Sequence, residues 1–263
     1  MSNSKPIGFF DSGVGGTSIW KEVMQLLPRE NSIYLSDSKN APYGEKPIEE
    51  IIALSKKNTE KLIAMGCKII VVACNTATTN AIRILRDTYP LPIIGIEPAI
   101  KPAALNSRTK SIGILATKGT LSSKLFSKTS ELYSEDINII EVVGNGLVRL
   151  IEQGKQNSAE IKELLFELLK PMLDAKIDYL VLGCSHYPYL VPVLKEILPA
   201  EVTIIDSGEA VARQTKKVLL EHELMNNEDH KPKHLLFSNA DSKVLAKLVA
   251  AEENNLEVSY LDF

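Results

Sequence analysis

Short apolar runs alternate along most of the chain with longer segments in which apolar residues recur at helical spacing. The runs are rich in Val, Ile and Leu and are too short for helices, as expected of buried strands. They lie at 7–10, 32–35, 68–73, 92–96, 111–116, 137–143, 178–183 and 202–206. Continuous apolar strands joined by crossover helices are typical of parallel sheets covered on both faces. The pattern therefore predicts an α/β fold.

One unit of helix and strand is repeated later in the chain. The helical segment 49–66 and its strand align with the segment 159–176 and its strand, and both strands end in a small residue followed by cysteine. These cysteines, Cys74 and Cys184, lie 110 positions apart. The strand and glycine-containing loop that open each unit also correspond, as IGFFDSG and SIGILATKGT. This self-similarity predicts a tandem duplication that builds two pseudo-symmetric domains, each a mainly parallel sheet flanked by helices.

The duplication also sets the predicted domain boundaries. Residues 1–97 form the first half and residues 98–207 the second. Residues 208–263 carry two more strand-like runs, and we predict that they pack back onto the first half. The first domain is therefore predicted to comprise 1–97 plus 208–263, and the second 98–207. The polar stretch 226–234 is typical of a solvated loop.

The positions of Cys74 and Cys184 suggest a chemistry. In parallel α/β sheets, ligands bind beyond the carboxyl ends of the strands, which is where both cysteines lie. If the two halves face each other, the thiols meet from opposite sides of one cleft. Two such groups on opposite faces of a bound carbon can remove a proton from one face and return one to the other. This arrangement predicts racemisation or epimerisation by two bases.

The residues that follow each strand-end cysteine are polar and can form hydrogen bonds: Asn75, Thr76, Ser185 and His186. A cysteine that only fills a core does not require such neighbours. A thiol with its ordinary pKa is mostly protonated at neutral pH. An adjacent acid or base must therefore take or supply its proton. His186 is the candidate for Cys184. Cys67 lies at the start of its strand, and we expect it to pack as a small apolar side chain.

Composition and charge exclude several classes of protein. The 263 residues are 44% hydrophobic and 24% charged, and 30 basic against 33 acidic residues give a net charge of −3. Without a broad positive field, a nucleic-acid partner is disfavoured. No apolar run approaches a membrane span and no apolar signal core opens the chain, which predicts a cytoplasmic protein without membrane contact. The three cysteines lack CxxC spacing, so we expect neither a disulfide framework nor a structural metal site.

The glycine-rich turn at 11–16 lies between the first strand and a helical pattern. Such a turn exposes N–H groups and a helix N-terminus that suit a substrate carboxylate. A tight turn with no binding role would use glycine as well. Asp11 in this turn would repel an anion, unless it acts as an acid or base or binds the ammonium group of an amino acid.

Other loops hold candidates for which the residues alone leave two interpretations open. Tyr43 and Gly44 lie in a turn that either presents them to a ligand or only reverses the chain. The hydroxyls of Thr117 and Thr120 either bind a carboxylate or cap the next helix. Glu152 is either an exposed helical residue or an acid in the cleft.

Five segments, in this order and at these separations, make the chain similar to the glutamate racemase family of the aspartate/glutamate racemase superfamily: GFFDSGVGG, NAPYGEKP, VVACNTATT, IGILAT and LGCSHYP. The resemblance covers essentially the whole chain. It implies two α/β domains with the active site in the cleft between them. It also implies that the chain interconverts L- and D-glutamate without pyridoxal phosphate or another cofactor and supplies D-glutamate for bacterial peptidoglycan. A homodimer is a further expectation.

The resemblance also carries site residues over to this chain. The paired catalytic cysteines of the family match Cys74, which is implied to act on the D enantiomer, and Cys184, which is implied to act on the L. The supporting acid/base residues match Asp11 and His186, with Glu152 as a further counterpart. The implied substrate-binding positions are Asp11, Ser12, Tyr43, Gly44, Asn75, Thr76, Thr120, Ser185 and His186. At position 185 the family motif reads Gly-Cys-Thr-His, and the serine found here keeps the hydroxyl but lacks the methyl group.

Other functions remain as alternatives. A hydrolase or decarboxylase could use one thiol as a nucleophile, but the second strand-end cysteine would then have no role. A two-lobed module that only binds a small molecule has a similar architecture and does not need facing thiols. Aspartate or a related amino acid is an alternative substrate, because one methylene is worth only about 1–3 kcal/mol and no single residue decides the choice.

Overall fold

The computed structural model describes residues 3–228, 231–254 and 256–263. Over these residues the chain forms ten strands: β1 (Ile7–Asp11), β2 (Ser32–Ser36), β3 (Ile69–Val72), β4 (Ile93–Gly95), β5 (Ser111–Ala116), β6 (Asn138–Val143), β7 (Tyr179–Gly183), β8 (Thr203–Ile205), β9 (His234–Ser238) and β10 (Glu257–Tyr260). The same residues form twelve α-helices: α1 (Thr17–Leu26), α2 (Ile48–Ala64), α3 (Asn75–Thr88), α4 (Ile100–Asn106), α5 (Lys118–Leu121), α6 (Lys124–Glu131), α7 (Leu147–Glu152), α8 (Ala159–Asp174), α9 (Val191–Ile197), α10 (Gly208–Glu221), α11 (Lys243–Leu248) and α12 (Ala251–Asn254). Asp229 and His230, inside the predicted solvated loop, lie outside the described residues.

The strands of the described residues form two parallel sheets. The strand order is β10-β9-β2-β1-β3-β4 in the first sheet and β6-β5-β7-β8 in the second. The order β2-β1-β3-β4 within the first sheet is thus repeated by β6-β5-β7-β8, one half of the chain later. All the pairings are parallel. This repetition of strand order is the three-dimensional counterpart of the duplication inferred from the sequence.

Helices cover the sheets, which explains why the strands read as continuous apolar runs. Every residue of β1, β2, β3 and β5 is buried. The buried residues of α2 share one face of the helix, which contacts β1 and α3. The predicted helices at 49–66 and 159–176 correspond to α2 and α8 but end earlier. Gly66 and Lys176 follow these ends with left-handed backbone, φ +82° and +51°, which stops the helix.

The C-terminal part of the chain returns to the first sheet. β9 pairs with β2, β10 pairs with β9, and α10 packs against α1. Along the sequence, the second sheet and its helices are therefore inserted between two segments that both contribute strands to the first sheet. The boundaries at 97/98 and 207/208 remain predictions.

Candidate active site

The carboxyl ends of the two sheets meet through the loops that follow β1 and β7. Asp11 is the last residue of β1 and is fully buried, and Cys184 and Ser185 follow directly after β7. The Ser185 hydroxyl donates a hydrogen bond to Asp11 Oδ1 at 3.0 Å, and Ser18 Oγ donates to the Ser185 carbonyl at 2.9 Å. The two halves of the chain thus touch at the strand ends that hold the candidate residues.

The glycine-rich turn after β1 directs its N–H groups at carboxyl groups of the protein itself. Asp11 Oδ2 accepts hydrogen bonds from the N–H groups of Gly13 and Gly16, at 3.2 and 3.0 Å. The N–H of Val14 donates to Glu152 Oε1 at 2.7 Å. The expectation that this turn binds a substrate carboxylate is therefore limited to its other N–H groups, because these three have partners.

His186 joins three candidate groups into one buried cluster. Its Nε2 lies 2.5 Å from Glu152 Oε1, and its Nδ1 lies 3.8 Å from Cys184 Sγ and 3.9 Å from Asp11 Oδ2. Burial lowers the pKa of His186, but the hydrogen bonds to Cys184 and Glu152 and the charge of Asp11 outweigh it and hold the pKa well above its ordinary value. Burial raises the pKa of Asp11 although the charge on His186 opposes the shift. The ring thus lies between the Cys184 sulfur and two carboxyl groups, and these neighbours favour its protonated form.

Glu152, the last residue of α7, reaches this cluster from the second domain. Its side chain is only 14% exposed, so it is not the exposed helical residue that one of the two interpretations allowed. A Cβ at Gly13 would lie 1.9 Å from Glu152 Oε1, and one at Gly15 would lie 2.2 Å from His186 Nδ1. Glycine at these two positions therefore lets the backbone of the first domain approach the side chains of the second.

Cys74 lies at the N-cap of α3, where its Sγ accepts a hydrogen bond from the N–H of Ala77 at 3.4 Å. Its side chain is almost fully buried. Burial and the charge of Asp11 raise the pKa of Cys74 well above its ordinary value, against the effect of hydrogen bonds from Ala77 and Ser12. Cys74 and Cys184, the thiols at the two strand ends, thus both border the buried cluster that His186 forms with Asp11 and Glu152.

Three threonine hydroxyls form a triangle where the two domains touch near Cys74. Thr76 Oγ1 lies 2.8 Å from Thr117 Oγ1 and 3.3 Å from Thr120 Oγ1, and the latter two are 3.0 Å apart. Thr117 also caps α5, so the helix-capping interpretation of this loop holds beside the hydroxyl cluster. Neighbouring Asn75 is 2% exposed, and neither polar atom of its amide has a hydrogen-bond partner among the described residues. Since a buried unpaired amide is costly, Asn75 is well suited to bind a ligand.

Tyr43 directs its hydroxyl into a second buried cluster, which the sequence analysis missed. The cluster is centred on Asp37, which accepts hydrogen bonds from four side chains: Tyr43, Asn40, Asn58 and Asn239. It fixes the loop that carries Gly44, where an added Cβ would lie 2.7 Å from Thr117 Cβ in the other domain. An aspartate directly after β2, beside the end of β1, is the signal that could have found this cluster.

Cys67 lies at the opposite end of β3 from Cys74. Cys67 is buried against Gly8 and Leu62, and burial raises its pKa to about 12, in keeping with a cysteine that only packs.

Within residues 3–228, 231–254 and 256–263, no group of three or more His, Cys, Asp or Glu side chains could hold a metal ion. None of the helices described here combines the length and the apolar character needed to cross a bilayer.

Comparison with known proteins relates this geometry to a family. The profile of the Asp/Glu/Hydantoin racemase family matches residues 16–215. A glutamate racemase of Cupriavidus pinatubonensis is 45% identical over 249 residues, which cover 95% of this chain and 92% of that protein. The chain belongs to the Asp/Glu/Hydantoin racemase family.

Solved structures of racemases share the whole fold. The crystal structure of a glutamate racemase from Bacillus anthracis matches with a TM-score of 0.86 and 29% identity, covering 98% of this chain and 97% of that one. Escherichia coli glutamate racemase, in complex with L-glutamate and the activator UDP-MurNAc-Ala, matches with a TM-score of 0.84 and 31% identity over 98% of each chain. The predicted α/β fold with two domains and the resemblance to glutamate racemases are thus confirmed.

Proposed function

We propose that this chain is a glutamate racemase that interconverts L- and D-glutamate by proton transfer at Cα, with two thiols and without a cofactor. One observation carries the proposal: Cys74 and Cys184 follow equivalent strands of two sheets and border one buried cluster around Asp11. The proteins of similar sequence and structure that are named glutamate racemases support the choice of substrate.

The Cα hydrogen of an amino acid is a very weak acid, so the site must stabilise the negative charge that develops on the substrate as the proton leaves. In our proposal the amide of Asn75 and the hydroxyls of Thr76 and Thr120 bind the substrate carboxylate. These groups are buried, where hydrogen bonds are electrostatically stronger than in water. The remaining binding positions of the proposal are Asp11, Ser12, Tyr43, Gly44, Ser185 and His186.

The unequal surroundings of the two thiols suit a start from L-glutamate. Burial and the charge of Asp11 raise the pKa of Cys74 and favour its protonated form, whereas His186 Nδ1 lies 3.8 Å from Cys184 Sγ, where the ring can take the proton of that thiol. Cys184 then removes the Cα proton of L-glutamate, and Cys74 donates its proton to the opposite face, which gives D-glutamate. The reverse reaction begins after Cys74 passes its proton to Asp11 and His186 passes one to Cys184.

Incubation with L-glutamate in deuterium oxide tests the proposal. A racemase destroys the optical rotation and forms D-glutamate that carries deuterium at Cα. A hydrolase or decarboxylase would consume glutamate without forming the D enantiomer, and a binding module would leave the rotation unchanged. Either result contradicts the proposal. L-Aspartate in the same assay shows which of the two amino acids is the substrate.

Cysteine variants test the two-thiol mechanism separately. Cys74→Ser and Cys184→Ser should each lower turnover by on the order of 10²-fold or more, because each loses one partner of the proton transfer. Cys67→Ala is the matched control, since this third buried thiol precedes β3, at the end of the strand away from the site, and its loss should leave turnover nearly unchanged. Full activity of either strand-end variant would remove that thiol from the mechanism.

The proposal extends to domain division, assembly and location. The pairing of β9 with β2 supports a first domain of residues 1–97 plus 208–263 and a second of 98–207. We also propose that the protein is a cytoplasmic homodimer and that its D-glutamate supplies peptidoglycan synthesis. Sedimentation equilibrium tests the assembly: a mass near 29.0 kDa would show a monomer and contradict the dimer.

A further inference from the structure

Ser38 lies just past β2 and contacts a carboxylate of the other domain. Its hydroxyl donates a hydrogen bond to Glu152 Oε2 at 2.7 Å, although the two residues are 114 positions apart. Ser36 Oγ lies 3.0 Å from Ser38 Oγ. The Ser38 hydroxyl has a single proton and donates it to Glu152, so Ser36 donates to Ser38. Two consecutive hydrogen bonds, from Ser36 to Ser38 and from Ser38 to Glu152, therefore connect the end of β2 with the other domain.

The oxygens of Glu152 have donors from both domains. Oε1 accepts from the N–H of Val14 at 2.7 Å and contacts His186 Nε2 at 2.5 Å, while Oε2 accepts from Ser38. The first domain thus supplies two donors, and the third partner is the His186 ring of the second domain. Since the side chain is 14% exposed, water can replace few of these contacts. The hydrogen bond at Nε2 sets how the other ring nitrogen is directed.

The loop around Ser38 is fixed on both sides. Asp37 is buried in its cluster of four hydrogen bonds. The N–H of Lys39 donates to Asn239 Oδ1 at 2.9 Å. The Ser38 hydroxyl is therefore held at a defined position, as a group that orients a catalytic side chain must be.

We propose that Ser38 is a positioning residue for racemisation: it holds Glu152 so that the His186 ring keeps Nδ1 directed at Cys184. This inference rests on the proposed function. Ser38 contacts neither thiol and acts through Glu152 and His186. Because Ser38 belongs to the first domain and the groups it orients belong to the second, the relay is complete only when the domains are closed against each other.

The test compares Ser38→Val with Ser38→Thr, which have the same shape and differ in the hydroxyl. Ser130→Ala is the matched control. Ser130 Oγ donates to Glu141 Oε1 at 3.3 Å, so this variant loses the same type of serine–glutamate hydrogen bond at another place, in the second domain. The measurements are kcat, KM and the ¹⁵N resonances of the His186 ring, assigned by their loss in His186→Gln. Circular dichroism checks folding, and Ser38→Ala replaces Ser38→Val if the latter is unfolded.

Ser38→Val should lower kcat by about tenfold, the effect of one hydrogen bond to a charged group, while KM changes less than about threefold. The His186 resonances should move, and deuterium at Cα of L-glutamate should slow this variant more than it slows the wild type, since His186 serves Cys184. Ser38→Thr and Ser130→Ala should resemble the wild type.

Unmoved His186 resonances, an unchanged kcat in Ser38→Val, or an equal loss in Ser38→Thr would each overturn the role of Ser38. The resonances are read without turnover, so they test Ser38 even if the proposed function is wrong. A wild-type protein that does not racemise glutamate would refute the proposed function alone.

Discussion

Gly15→Ala is expected to remove most of the activity and little of the stability. A Cβ at position 15 would lie 2.2 Å from His186 Nδ1 and 2.6 Å from the His186 backbone nitrogen. Ordinary van der Waals contact begins at 3.4 Å, so the ring or the turn must move by roughly 1 Å. Gly15 is not among the residues with positive φ, so alanine adds no strain of that kind.

The magnitude follows from where this clash lies. It lies between the two domains and not inside either core, so a slight parting of the domains relieves it. Overpacking inside a core costs about 1–3 kcal/mol, and we expect the free energy of unfolding to fall by less than about 1 kcal/mol here. A displacement of about 1 Å at a catalytic group can cost about 10²-fold in rate, and kcat/KM should fall by that factor.

Gly66→Ala is the complementary control. Gly66 follows α2 at φ +82°, and nothing lies within 4 Å of an added Cβ. Alanine there should cost about 1 kcal/mol through backbone strain and leave racemisation unchanged. Urea unfolding followed by circular dichroism gives the stability, and polarimetry gives the rate. A folded Gly15→Ala that keeps more than about a third of the wild-type kcat/KM would refute the argument from domain contact.

Three further predictions concern single side chains. Lys68→Met should lower the free energy of unfolding by about 3–5 kcal/mol, measured in urea, because it leaves Glu30 buried without the partner that lies 2.6 Å away. His186 has a raised pKa in the folded state, so its charge adds stability that is fully present below its unfolded pKa of about 6.5 and is lost as pH rises through the folded value. The unfolding free energies of the wild type and His186→Gln should therefore differ most at low pH and converge at high pH. Asn75→Ala should raise KM for glutamate about tenfold without lowering the free energy of unfolding, because the buried amide has no hydrogen-bond partner to lose in the part of the chain that the structure describes.

The strands could be predicted from the sequence because buried parallel strands leave continuous apolar runs. The run at 111–116 coincides with β5, and the run at 202–206 extends β8 by one residue at each end. The ends of the helices could be predicted less well from the sequence. They depend on single residues with left-handed backbone, such as Lys176, and lysine at such a position gives no signal in the sequence.

The candidate site could be predicted only where its residues lie at strand ends. Asp11 and Cys184 occupy such positions, which α/β topology singles out for ligands. Helical periodicity could not decide the place of Glu152, because periodicity does not show which loop of another domain packs on a helix. Ser38 and Asp37 were missed for a related reason: loop residues have no periodicity, and the contact of Ser38 spans 114 positions.

Duplication gave this fold two equivalent thiols but not two equivalent surroundings. Thr76 stands two residues after Cys74, whereas His186 stands two residues after Cys184. Cys184 has an imidazole ring 3.8 Å from its Sγ that can take its proton, whereas the hydroxyl at the equivalent position after Cys74 cannot act as such a base. Proton transfer across a stereocentre needs one base and one acid at the same time, so the asymmetry of the side chains contributes to catalysis what the symmetry of the strands cannot.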